Sequence, residues 1–227
     1  MEIFWNTIAH YNENTWVAQI VITLVGIVLT FLLYRKPTVW VKRSMKVYMV
    51  FLNSWISIVY YMMYCSSRSY HYILAIFWAI MALLWLGGLV TDYTPFERNP
   101  RYRFLVMFLY LMPFLYPVLS WARGMEFPAM TTTIMPCSVA VFTIGLLLSF
   151  SRKVNLLVLL LLCHWALIAF SKVYVYKIPE DLLLASATVP AIYLFFKNYF
   201  DQNLHKATKP SAQFMNYFLI IICIIIG

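Results

Sequence analysis

Along this chain, polar and apolar positions do not alternate; they come in blocks. Long apolar runs are separated by short segments that hold nearly all of the charge. The runs are Thr15–Tyr34, Val47–Tyr64, His71–Val90, Phe104–Trp121, Met130–Phe150, Val154–Ser171 and Asp181–Phe196. Each approaches or reaches the roughly 20 residues that a helix needs to cross a bilayer core of about 30 Å. The pattern predicts an all-α fold, a polytopic transmembrane helix bundle of seven spans, forming a single integral membrane domain over 1–227. A final run, Gln213–Gly227, would rise only about 22 Å as a helix. It suits a short or tilted eighth span, a helix packed on its neighbours, or an interfacial end.

Charge orients the predicted bundle. Arg35, Lys36, Lys42, Arg43, Lys46, Arg98, Arg101, Arg103, Arg152, Lys153, Lys197, Lys206 and Lys209 fall in alternate loops. The opposite loops hold only Arg68, Arg123, Lys172 and Lys177, and the first 14 residues hold no basic residue. By the positive-inside rule the N-terminus is expected outside the cytoplasm. Glu2 and Glu13 are unlike the basic n-region of a signal peptide, so the first run reads as an uncleaved anchor. Aromatic residues at the run edges, such as Trp16, Tyr34, Trp40, Tyr70 and Trp121, suit the headgroup layer.

Composition narrows the classes. Of 227 residues, 63% are hydrophobic and 11% charged, against roughly 45–50% and 25% in soluble domains. A soluble enzyme is thereby excluded. The net charge of +9 sits in short loops, so nucleic acid is not an expected partner. The expected partners are the lipid bilayer and a small solute or ion, and nothing in the pattern sets the oligomeric state. No Walker A run, nucleophile elbow, HExxH or dinucleotide fingerprint occurs. The cofactor is therefore unknown.

Polar and helix-breaking residues inside the runs are the candidates for chemistry. Pro113 and Pro117 lie in the fourth run, Pro136 in the outer third of the fifth and Pro190 in the seventh. Each frees a backbone carbonyl, which must find a partner or a cavity. His164 falls near the middle of the sixth run, where an ionisable group faces the bundle interior or is satisfied by a neighbouring hydroxyl or carbonyl. Cys65, Cys137, Cys163 and Cys223 show no metal-ligand spacing. Met135, Cys137, His10, His71 and His164 offer scattered soft donors. Glu180 and Asp181 open the seventh run, where they suit a helix cap.

Several separated segments carry a resemblance. They are Tyr11-Asn12 with Trp16 and Gln19, Tyr70-His71, Tyr116-Pro117, Phe127-Pro128, Pro136-Cys137 followed by Val141–Leu148, Trp165, and Ile178–Asp181. In this order over about residues 4–196, the chain resembles an uncharacterised bacterial family of multi-spanning membrane proteins, domain-of-unknown-function family 6064. It departs from that pattern at Ser138 and Val17, where the family usually has proline. The resemblance implies a bacterial inner-membrane protein and names no substrate.

On the expected topology, Tyr11, Asn12, Trp16, Gln19, Tyr70, His71, Pro136, Cys137, Trp165 and Asp181 lie toward the outer side. Together with His164 they are the candidate ligand-binding residues. A permease-like protein with an outward-facing cavity is the leading expectation. The alternatives are an outer-leaflet enzyme, using a metal or His71, Cys137, His164 and Asp181 as acid and base, and a non-catalytic subunit of a membrane complex.

Overall fold

The computed structural model describes residues 2–91, 95–97, 103–150, 155–188, 191–193 and 195. The chain divides into two compact units, Met1–Ile192 and Tyr193–Gly227. The first is described below. Of the second, only Tyr193 and Phe195 are among the described residues, so Pro190 and the expected run Gln213–Gly227 lie outside them.

The described residues are mostly helical and contain no strand. The helices are α1 (Glu2–Arg35), α2 (Val39–Trp55), α3 (His71–Thr91), α4 (Arg103–Ala122), α5 (Pro136–Phe150) and α6 (Leu156–Tyr176). A π-helical segment, Ile56–Tyr64, continues α2, and a 3₁₀ turn, Pro179–Asp181, leads into helical residues 182–188. Five helices are long and apolar enough to cross a membrane: α1, α2 with its π-helical extension, α3, α4 and α6.

Several expected boundaries are corrected: α2 begins at Val39, eight residues before Val47, and α6 runs on past Ser171 to Tyr176. α1 begins thirteen residues before Thr15, because a helix that projects past an apolar layer needs no apolar side chains there. At 34 residues it is about 51 Å long. The fifth run, expected to be helical from Met130, is helical only from Pro136. Pro136 is the first residue of α5, where its missing N–H costs no hydrogen bond. It starts the helix and does not break one.

α5 is the centre of the unit. Of its 15 residues only Phe142 is not buried. A helix apolar on all sides belongs inside, and α4 and α6 pack against it. The outer helices invert the soluble pattern. On α1, Val17, Val21, Leu24, Val28 and Phe31 are exposed, whereas Tyr11, Asn12, Thr15 and Gln19 are buried. Such an apolar exterior suits lipid and would be untenable in water. Gly26 lets α1 and α2 close up, since a Cβ there would stand 2.5 Å from the Tyr48 hydroxyl. That hydroxyl donates to the Ile22 carbonyl at 3.0 Å.

Contacts at the two ends fix which termini neighbour each other. At one end Phe4 of α1 stacks on Tyr176 of α6 (4.6 Å), and Arg68 donates to the Phe4 carbonyl. At the other, Tyr34 meets Phe150 edge-on (5.4 Å), and Lys46 donates to the Gly88 carbonyl.

Candidate functional site

Two polar clusters lie toward the end that carries the α1 N-terminus. The first is built by α1 and the segment 128–133, which takes the place of the first turns expected of the fifth helix. Non-helical backbone between apolar helices must have its polar groups met by neighbours, and α1 supplies them. Asn12 Nδ2 donates to the carbonyls of Pro128 (2.8 Å) and Met130 (2.7 Å). Thr132 donates to Gln19 Oε1 at 2.7 Å, and the Thr23 and Thr133 hydroxyls meet at 3.0 Å. Gln19 Nε2 returns to Thr15 and to Asn12 Oδ1. The Tyr11 hydroxyl donates to the Ile134 carbonyl at 2.9 Å and accepts from Trp55 Nε1 at 3.1 Å. The segment thus descends along α1 from Asn12 to Thr23, about 16 Å. Three of the candidate binding residues, Tyr11, Asn12 and Gln19, hold backbone.

The second cluster holds the charge. Lys172, on α6, places its ammonium 3.2 Å from Asp181 Oδ2 and 3.2 Å from Cys137 Sγ, to which it donates. Cys137 and Asp181 are buried, and Asp181 Oδ2 has the ion pair but no hydrogen bond of favourable geometry. The Trp165 ring lies 5.2 Å from Lys172 Nζ, and its buried indole N–H has no partner among the described residues. Tyr61 and Trp78 flank Trp165 at 6.3 and 5.2 Å. Tyr61 belongs to the π-helical segment, a geometry often found at functional sites.

Local structure explains how Asp181 comes to lie there. Lys177 ends α6 in the left-handed conformation (φ 55°), and Pro179 starts the 3₁₀ turn. Arg123, just past α4, holds this turn: its Nη1 donates to both Glu180 carboxylate oxygens (2.8 and 2.7 Å) and its Nη2 to the Lys177 carbonyl (2.8 Å). Charge-assisted bonds of this kind are stronger than neutral ones. Glu180 therefore fixes the turn, and its neighbour Asp181 is free to meet Lys172. This replaces the helix-cap expectation.

The remaining candidates are distributed differently. Trp16 and Tyr70 are 51% and 70% exposed. His71 is buried, and its Nδ1 lies 2.5 Å from the Arg68 carbonyl. His164 is exposed on α6, its ring 5.9 Å from Phe77, so the inward-facing expectation does not hold. Among the described residues no group of three His, Cys, Asp or Glu side chains could hold a metal ion. Burial pushes the Cys65 thiol, in the turn after the π-helical segment, up to about 11, and nearby Arg68 offsets part of this. At neutral pH that thiol is protonated and a poor nucleophile.

With this geometry in view, the sequence profile of a family of unknown function, DUF6064, matches residues 1–206. The chain belongs to the DUF6064 family. No curated protein and no solved structure matches it. In this DUF6064 member, Cys137, Trp165 and Asp181 meet around a residue that sequence reasoning missed, Lys172. The signal was its place one residue beyond the expected end of the sixth run, at Ser171. Because α6 continues to Tyr176, Lys172 falls about 6 Å inside the helix end.

Proposed function

We propose that this protein is a permease-like integral membrane protein that binds a small charged solute or ion at Cys137, Lys172 and Asp181. The observation that carries the reading is the Lys172–Asp181 pair, in which the carboxylate is buried and the lysine side chain only 19% exposed. Such a pair is weak as a stabilising device, because desolvating two charges offsets most of their attraction. In a membrane-spanning helix an ionisable side chain is by default a functional feature. An anionic group of a solute can compete for the Lys172 ammonium, and a cationic one for the Asp181 carboxylate. The Trp165 indole N–H offers a further donor beside them. The loop charges favour placing this end outside the cytoplasm, which makes the site outward-facing and the host membrane the bacterial inner membrane.

The test is a thermal-stability screen of the purified full chain against amino acids, small carboxylates and alkali and alkaline-earth cations. At least one solute is expected to raise the Tm by several degrees, as binding at about 100 times Kd is worth about 2.7 kcal/mol. Asp181→Asn should lose that rise. A wild-type protein indifferent to the whole panel, or an Asp181→Asn variant with the full rise, contradicts the proposal.

A further inference from the structure

Next to the first cluster, and bounded on that side by its Thr23–Thr133 pair, lies a different feature, a cleft of about 400 Å³ between α1 and α4. These two helices make little contact with each other, although α1 packs on α2 and α4 on α5. Ile27 and Phe31 form one wall, Leu111 and Phe114 the other, and Phe142 of α5 lies at the base. The four wall residues are exposed, so the cleft is open to the apolar exterior. Along α1 it runs from Thr23 to Tyr34, about 16 Å. That is close to half of a hydrocarbon core of about 30 Å, the depth of one leaflet.

The polar end of the cleft has a sign. Phe31, which lines it, lies 5.7 Å beneath the Arg35 guanidinium. Arg35 and Lys36 are exposed, and no carboxylate among the described residues pairs with Arg35. An apolar slot one leaflet deep, with an unneutralised guanidinium at its lip, matches one kind of molecule.

We infer that the α1–α4 cleft binds one anionic phospholipid, an acyl chain between Ile27 and Leu111 and the phosphate on Arg35. The chain fills the gap beside the α5 side chain Phe142, which the Tyr48 and Tyr110 rings flank at 6.4 and 5.9 Å. The phosphate gives Arg35 a counter-charge that no carboxylate among the described residues supplies. Basic groups at a membrane surface each contribute about 1 kcal/mol toward anionic lipid.

The experiment uses the full chain, stripped of lipid in a mild non-ionic detergent, with Tm followed as lipid is added. Dioleoylphosphatidylglycerol is expected to raise the Tm more than dioleoylphosphatidylcholine at equal concentration. Glycerol 3-phosphate, a headgroup without chains, should not raise it. Arg35→Gln should raise the half-saturating phosphatidylglycerol concentration about fivefold, the equivalent of one surface charge. Arg43→Gln, whose guanidinium stands over Trp40 outside the cleft, should leave it unchanged. Ile27→Trp fills the slot and should remove the rise; if it does not fold, Leu111→Trp fills the slot from the facing wall. Equal responses to the two lipids in the wild type would overturn the inference. So would a full rise in a folded filling variant, or an Arg43→Gln effect as large as that of Arg35→Gln. Should neither filling variant fold, the two arginine variants decide the matter.

Discussion

Asn12 shows how far a polar side chain between apolar helices can be a structural tool. Its amide donates to two carbonyls of the 128–133 segment and its oxygen accepts from Gln19 and Thr132. Asn12→Ala leaves two part-buried carbonyls unpaired, each worth about 1–2 kcal/mol, the lower part of the range for a buried group. The variant should therefore lose about 2–4 kcal/mol, read as a clear drop in Tm of the purified protein. A loss below about 1 kcal/mol would show that the segment is held by other contacts. The residue types of this cluster were legible in the sequence, but their task was not. Asn12 and Gln19 stand out against their apolar neighbours, which marks them as special without saying whether they meet a ligand or a backbone. Lys172 was hidden for the opposite reason, since a lysine at the end of an apolar run looks like an ordinary loop charge.

At the scale of elements, α3 was readable to within a residue, because its apolar run is bounded sharply by His71 and by Thr91 with the polar residues after it. α5 was not. Its first six expected residues, Met130–Met135, include Thr131, Thr132 and Thr133, and side chains of α1, over 100 positions away, together with Ser120 of α4 and Ser138, provide the hydrogen bonds that let them leave the helix. Pro136 discriminates between the two arrangements. As the first residue of α5 it sits where proline is tolerated, so Pro136→Ala should change stability by no more than about 1 kcal/mol. Had it interrupted a helix running from Met130, the same change would relieve an interior proline costing about 3 kcal/mol. Thermal unfolding of Pro136→Ala reads out that difference.

The unit Met1–Ile192 is a helical bundle whose two ends carry different features. Toward the α1 N-terminal end, one segment is tied to α1 and a buried ion pair is held by the Arg123–Glu180 clamp; toward the other, a lateral slot ends at Arg35. The all-helical class and membrane-suited exterior follow from blocks of apolar residues, whereas the meeting of Cys137, Lys172 and Asp181 depends on packing between α5, α6 and the 3₁₀ turn. The central claim is that this meeting serves a solute and not the fold. The most direct measurement pairs stability with binding in the double variant Lys172→Met/Asp181→Leu. Replacing both members of a buried pair by apolar residues is often neutral or stabilising. The account predicts a Tm within a few degrees of the wild type, or above it, together with loss of every solute-induced rise. A double variant that unfolds, or one that keeps the solute response, would contradict it.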